Sequence, residues 1–259
     1  MGGLGVPLID VVSTSRSGSI FFSTIDRRYM IKTIALEEDL LLRRILSSYW
    51  KHLCDYPNSL MTRFFGLHRM RGEGMRDMSF IVMDNVFFSK YSVHEQYDLK
   101  GSTVDRQVQI DSSLLSSVAR KDLDFHYKIK LGHKRKAKFL EQVEKDCKWM
   151  ENHNICDYSL LIGFHFLKKP IPKTEAAGNG NVAEEGERGI FKEFEGGMLS
   201  EDRDVIYFVG IIDTLTEYNL KKAGEHHLKS LFHDSTRISA MPPTPYRERF
   251  IRYVDSIVE

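Results

Sequence analysis

Four charged side chains in this sequence, two of them set against apolar runs, stand in an order that suggests chemistry. Lys32 is set into Tyr29-Met30-Ile31-Lys32-Thr33-Ile34, and Lys100 falls in Asp98-Leu99-Lys100-Gly101-Ser102-Thr103. Asp157 precedes Tyr158-Ser159-Leu160-Leu161, and Asp213 ends the run Val205-Ile206-Tyr207-Phe208-Val209-Gly210-Ile211-Ile212. A single charge beside a strand is ordinarily an edge residue or an ion-pair partner. A lysine followed in order by two such carboxylates fits a narrower demand. Transfer of a γ-phosphoryl group needs a cation on the phosphates of ATP, carboxylates for Mg²⁺ and a carboxylate that orients the acceptor, all in one cleft.

The surrounding residues must build that cleft. The apolar runs holding Lys32 and preceding Asp213 read as buried strands. Upstream, Val11-Val12, Ser15-Arg16-Ser17-Gly18-Ser19 and Ile20-Phe21-Phe22 read as strand, small-residue turn and strand. Such a turn is either an ordinary hairpin or, with Lys32 on the next strand, a backbone cradle over phosphates. Residues 35 to 50 are rich in helix formers, with acids early and bases later, which suits the helix dipole. Phe64 to His68 and Ser79 to Met83 add strands, and Asn85 to Phe88 falls where two lobes would join.

Further on, His126 to Lys136 is strongly basic, and Phe139, Val143, Cys147 and Met150 follow at helical spacing as a core stripe. The bases read as a solvated helix start or as a face toward anionic lipid. Residues 170 to 197 lack apolar periodicity and read as a flexible insert between paired strands at Leu160 to Phe166 and Val205 to Ile212. From Leu220 to Phe232, Leu220, Ala223, Leu228, Leu231 and Phe232 fall near one helical face, with Lys221, Lys222, Glu225, His226 and Lys229 largely elsewhere. That pattern suits either packing on the protein's own core or lying in a bilayer interface.

Composition narrows the class. With 259 residues, 42% of them hydrophobic, the chain can bury a sizeable core. Its 37 basic against 36 acidic residues leave a net charge of +1, so attraction to phosphate or membrane must come from local clusters, which argues against a general nucleic-acid binder. Cys54, Cys147 and Cys156 lie far apart without CxxC spacing, as in a cytosolic protein with reduced thiols. No apolar run reaches the length of a membrane span and the start lacks a signal-peptide pattern, so membrane contact is expected to be peripheral.

The string Asp98-Leu99-Lys100-Gly101-Ser102, the Cys156-Asp157-Tyr158-Ser159-Leu160-Leu161 segment, Ile211-Ile212-Asp213 and Met30-Ile31-Lys32-Thr33 together resemble the signature elements of the phosphatidylinositol phosphate kinases, most like the type I branch. The resemblance runs from Ser15 to Val254 and implies a bilobal α+β kinase-like fold, with a first lobe at about 8–110 and a second at about 111–259 of one catalytic domain. By that resemblance ATP and Mg²⁺ are cofactors, and Ser17, Gly18 and Ser19 cover the phosphates. Lys32 binds the α- and β-phosphates, paired with a helix glutamate for which Glu38 aligns best and Glu37 and Asp39 are the alternatives. Asp157 orients or deprotonates the inositol hydroxyl, Lys100 sits near the transferred phosphate, and Asp213 holds Mg²⁺. Arg106 meets the phosphate already on the lipid, for which a guanidinium fork is suited. The segment after Asp213, with Lys221 and Lys222, matches the family's specificity loop at an anionic phosphoinositide membrane. Within it Glu225 matches the acidic position of enzymes that phosphorylate phosphatidylinositol 4-phosphate at the 5-hydroxyl. Pro243-Thr244-Pro245-Tyr246 and Arg249-Phe250 fit the closing pattern.

Cys156 stands where the family has methionine, Gly224 where an apolar residue is usual, and the stretch before the phosphate-covering turn is shorter than the family's. Two other functions compete. A protein kinase would carry Asn five residues after the catalytic aspartate, where this chain has Ile162, and Phe-Gly after the metal-binding aspartate, where it has Thr214-Leu215. A catalytically dead phosphoinositide-binding scaffold could lose the carboxylates, yet Lys32, Asp157 and Asp213 are all present.

Overall fold

The computed structural model describes residues 7–11, 18–72, 77–104, 106–108, 118–168, 190–194, 196–219 and 241–259. Two antiparallel sheets organise them. The first contains β1 (Ile9–Val11), β2 (Phe21–Ser23), β3 (Tyr29–Ile34), β4 (Phe64–Met70) and β5 (Met78–Asp84), in the order β1-β2-β3-β5-β4. The second contains β6 (Glu95–Leu99), β7 (Ser159–Phe166), β8 (Met198–Leu199) and β9 (Val205–Ile212), in the order β6-β7-β9-β8. Helix α1 (Leu36–Asp55) lies between β3 and β4 in the chain, α2 (His133–Asn152) precedes β7, and α3 (Pro243–Ile257) follows the second sheet.

Helix α1 forms because Leu41, Leu42, Ile45 and Tyr49 recur at helical spacing and bury one face. It is fixed to the first sheet by Asp39, which is fully buried and bound by Arg43, by Ser79 Oγ at 2.6 Å and by Arg69 Nη2 at 3.1 Å. The Arg43 hydrogen bond, reinforced by Ser79 and Arg69, pulls the Asp39 carboxyl from 3.8 to about 2 despite its burial. A carboxyl depressed in the folded state stabilises the protein above its unfolded pKa, and that contribution is lost as pH falls toward the folded value. Asp39→Asn is therefore expected to cost about 2 kcal/mol at neutral pH and to flatten the stability profile between about pH 4 and pH 2. Urea titrations of both proteins across that interval check this.

In α2, Phe139, Val143, Cys147 and Met150 are each 0% exposed, as their spacing predicts. Of the bases ahead of and within its first turn, Lys130 pairs with Asp202, Lys136 with Asp255, and Lys128 donates to the Ser256 carbonyl, while His133 and Lys134 are exposed. β7 and β9 pair along their whole length, as expected of strands flanking a hairpin insert. Residues 169–189 and 195 lie outside the described set, but Phe191 is buried against Phe139 and β8 pairs with β9. Phe191 and Phe194 carry enough apolar surface to pack at the end of that insert, where the Gly- and Glu-rich composition reads as loop.

The sheets join through backbone and buried polar contacts. The Thr62 amide and hydroxyl both donate to the Ile211 carbonyl at 2.9 Å, and the Ile211 amide donates to the Leu60 carbonyl at 2.7 Å. On α2, buried Asp146 accepts from His52 Nε2 of α1 at 2.7 Å, Ser59 Oγ at 2.9 Å, the Leu60 amide at 2.8 Å and Gln142 Nε2 at 3.0 Å. Trp149 donates to Ser48 Oγ and lies over the His52 ring. Among the described residues no helix is long and apolar enough to cross a membrane.

Candidate active site

Strand register brings the charged residues together. Leu99 pairs with Leu160 and Ser159 with Ile212, so the C-terminal ends of β6 and β9 and the N-terminal end of β7 lie side by side. Lys100, Asp157 and Asp213 extend from those three ends. Antiparallel pairing alone places at one edge of the sheet three residues that are far apart in sequence.

Both carboxylates sit on left-handed backbone, with φ of 65° at Asp157 and 58° at Asp213. Non-glycine residues occupy this region only where surrounding structure holds them, and such positions concentrate at functional sites. Lys100 Nζ is 2.6 Å from both Asp157 Oδ1 and the Asp157 carbonyl, which makes a close cation and carboxylate pair at the turn. The two side chains are 11% and 18% exposed.

The first sheet contributes Lys32. It lies at the centre of β3, with Phe21 of β2 opposite on one side and Ile81 of β5 on the other. Its ammonium reaches across to Asp213 Oδ1 at 3.0 Å and lies 3.8 Å from Glu38 Oε1. Burial lowers the Lys32 pKa, but Asp213 and then Glu38 more than offset this, so the group lies above the ordinary lysine range and stays charged at neutral pH. Of the three consecutive acids at the start of α1, Glu38 faces Lys32, while Asp39 is buried against β4 and β5 and Glu37 is exposed. Glu38 Oε2 also accepts from the Ala35 amide at 2.8 Å, which fixes the start of the helix and the carboxylate together. Arg44 pairs with Glu217 at 2.5 Å and so ties α1 to the chain just past Asp213.

Gly18 and Ser19 lead into β2 beside Lys32. Gly18 has φ of 70° and open space where a side chain would stand. Ser17, Lys221, Lys222 and Glu225 lie outside the described residues, as does the amphipathic stretch that holds the last three.

Arg106 is drawn further inward than a substrate-reading residue in open solvent would be. It is 6% exposed, with Nη2 2.8 Å from Asp98 Oδ1 and Nε 2.5 Å from Asp122 Oδ2. Burial raises the Asp98 carboxyl, yet Arg106 and Lys100 outweigh this and leave its pKa below the usual range. Asp122 was not singled out by sequence, and it organises this corner. Its Oδ1 accepts from the Lys100 amide at 2.9 Å and the Gly101 amide at 2.7 Å, while Oδ2 holds Arg106. Gly101 is required here, because its φ is +68° and a Cβ would lie 2.8 Å from Tyr253 Cβ. Nothing in the spacing of Lys121-Asp122-Leu123-Asp124 signals this capping role, since a loop acid reads the same whether it faces solvent or an amide pair.

The arrangement offers a buried ammonium and a carboxylate side by side at Lys32 and Asp213, and a second such pair at Lys100 and Asp157, at one junction of two sheets. Among the described residues no cluster of three or more His, Cys, Asp and Glu could by itself enclose a metal ion. A single carboxylate such as Asp213 suits a Mg²⁺ ion that takes its other ligands from phosphates and water.

Residues 6–257 match the family model described as phosphatidylinositol-4-phosphate 5-kinase. The chain is similar to a Dictyostelium discoideum protein named "Probable phosphatidylinositol phosphate kinase", 36% identical over 305 residues that cover 97% of this chain and 42% of that protein. It is similar to phosphatidylinositol 4-phosphate 5-kinase 3 of Arabidopsis thaliana, 35% identical over 283 residues covering 96% of this chain and 40% of the relative. It is also similar to human phosphatidylinositol 4-phosphate 5-kinase type-1 beta, 31% identical over 284 residues covering 97% of this chain and 52% of the relative. The chain thus spans 40% to 52% of the length of these relatives.

Proposed function

We propose, because the chain belongs to the phosphatidylinositol-4-phosphate 5-kinase family, that it is an ATP-dependent lipid kinase. Its substrate in this reading is phosphatidylinositol 4-phosphate, its acceptor the 5-hydroxyl, and its product phosphatidylinositol 4,5-bisphosphate. The observation that carries the reading is the convergence of Lys32, Asp213, Lys100 and Asp157 from two sheets on one junction. Magnesium-bound ATP supplies the phosphoryl group and the divalent charge that offsets its oxygens.

The protein's own residues do the rest. Lys32, kept cationic by Asp213 and Glu38, holds phosphate oxygens, and Asp213 offers one carboxylate to the metal. Asp157 accepts the proton of the inositol hydroxyl and keeps its oxygen directed at the phosphorus, while the Lys100 ammonium beside it offsets negative charge during transfer. Arg106, with Asp98 and Asp122 as its counter-ions, is assigned to the phosphate already on the lipid. Lys221 and Lys222 are assigned to the anionic face of a peripheral membrane, each worth about 1 kcal/mol near such a surface. Glu225 is assigned to the choice of ring hydroxyl, and the protein acts at the cytoplasmic side of that membrane.

Purified protein incubated with ATP, Mg²⁺ and vesicles containing either phosphatidylinositol 4-phosphate or the 5-phosphate isomer tests this, with products resolved by position. The bisphosphate made faster from the 4-phosphate lipid is the expected result, and a smaller preference in Glu225→Ala would support that residue's assignment. Binding of both vesicles without ATP-dependent product would instead favour a phosphoinositide-binding scaffold.

A further inference from the structure

The turn that carries Asp157 needs support from outside its own strand. Asp157 lies in the left-handed region, and Tyr158 lies between it and the first ladder pair of β7, Ser159 with Ile212. Two consecutive carbonyls at this turn are nonetheless held by side chains from elsewhere. Lys100 Nζ takes the Asp157 carbonyl at 2.6 Å, and the hydroxyl of Tyr246 on α3 donates to the Tyr158 carbonyl.

Tyr246 is fully buried in the first turn of α3, and its ring meets the Tyr158 ring edge-on at 4.7 Å. Phe250, one turn later, meets the same Tyr158 ring at 5.0 Å. The same helix touches the other half of the pair. Arg249 Nη2 lies 3.3 Å from the Lys100 carbonyl, and its guanidinium covers the Tyr246 ring at 4.9 Å. Tyr253 closes over Gly101 so tightly that any side chain there would collide with it. One face of α3 therefore seats both loops that present the Lys100 and Asp157 side chains.

We propose that α3 sets the geometry of the Lys100 and Asp157 pair, with Tyr246 as a positioning residue for phosphoryl transfer: its hydroxyl fixes the carbonyl that follows the left-handed turn at Asp157. The proposal rests on the kinase reading above. It makes a distinction within that reading, because Lys32 and Asp213, which hold the nucleotide, take no support from Tyr246. Loosening the turn should therefore affect the acceptor side and spare ATP binding.

Tyr246→Phe keeps the ring and removes one donor. It is expected to lower kcat roughly 10- to 100-fold, the scale of a reacting group displaced by up to an ångström. The KM for ATP should stay within about twofold, as for an interaction outside the nucleotide site. Backbone amides of Ser159 and Leu160 should also exchange faster with deuterium, a readout that needs no activity. Val254→Ala removes buried volume from the same helix without touching the turn. It should lower the thermal midpoint at least as much while leaving kcat near that of the unaltered protein, measured well below both midpoints. Unchanged kcat in Tyr246→Phe overturns the proposal, as does a loss of kcat in both variants that follows their thermal midpoints. If the unaltered chain shows no transfer to lipid at all, the kinase reading fails and the catalytic role with it, while the exchange experiment still reports whether the tether exists.

Discussion

Asp213→Asn is expected to reduce phosphoryl transfer by about 10³-fold, the upper range for loss of one charged or dipolar group aimed at a transfer centre. The substitution keeps the shape of the side chain and removes its charge. Backbone strain does not confuse the result, because Asp213 has φ of 58° and Asn tolerates the left-handed region well. The folded state loses little, since the Asp213 side chain is 36% exposed and its ion pair is partly screened.

Two distinguishable consequences follow. The metal would lose the carboxylate that Asp213 offers, and Lys32 would lose the nearer of its two carboxylate partners, with Glu38 left at 3.8 Å. If the first dominates, raising Mg²⁺ should recover part of the lost rate. If the second dominates, the KM for ATP should rise and added Mg²⁺ should do little. Near-normal turnover in a variant with an unaltered thermal midpoint would remove Asp213 from the mechanism.

Sequence made the frame of this site legible because the frame is built from strands. Apolar runs before Asp213 and after Asp157 mark β9 and β7, and their register follows from where those runs start and stop. Lys32 is visible for the same reason, as a charge that a strand interior does not ordinarily hold. The choice of Glu38 from three adjacent acids required the phase of α1 against the first sheet, which composition cannot supply. Asp122, Asp146 and Tyr246 were harder still. Each holds at least one group 16 or more residues away along the chain, Asp122 with Arg106 being the shortest such span, although Asp146 also takes Gln142 from one helical turn earlier. A lone acid or tyrosine leaves no periodic trace of such a partner. Burial of Phe191 at the end of the expected insert is illegible for a related reason, since it packs individually and without a repeating pattern.

Asp146→Ala should cause the largest loss of stability of any single substitution considered, about 3–5 kcal/mol, as when one member of a buried charged network is removed. Asp146 is 0% exposed and receives hydrogen bonds from His52, Ser59, the Leu60 amide and Gln142. Removing the carboxylate leaves these buried donors without an acceptor and opens a space too polar to close by apolar collapse. Against a total stability of about 5–15 kcal/mol, that loss leaves little margin. Asp146→Asn should cost less, because one oxygen survives, although its amide group adds a donor facing donors. The network also joins parts that would otherwise be separate: His52 belongs to α1, which carries Glu38, and Asp146 to α2, which precedes the Asp157 turn. Of the chain's two tryptophans, Trp149 is buried against His52 and Trp50 is 68% exposed. Urea unfolding followed by tryptophan emission therefore reports mainly on this junction, and it can be compared with the helical signal of the whole chain. The two transitions should coincide in the unaltered protein, while in Asp146→Ala the tryptophan transition should move to lower urea and come first. A midpoint shift worth less than about 1 kcal/mol, the net value of one ordinary hydrogen bond, would mean that water replaces the carboxylate and that the junction is held by its apolar contacts instead.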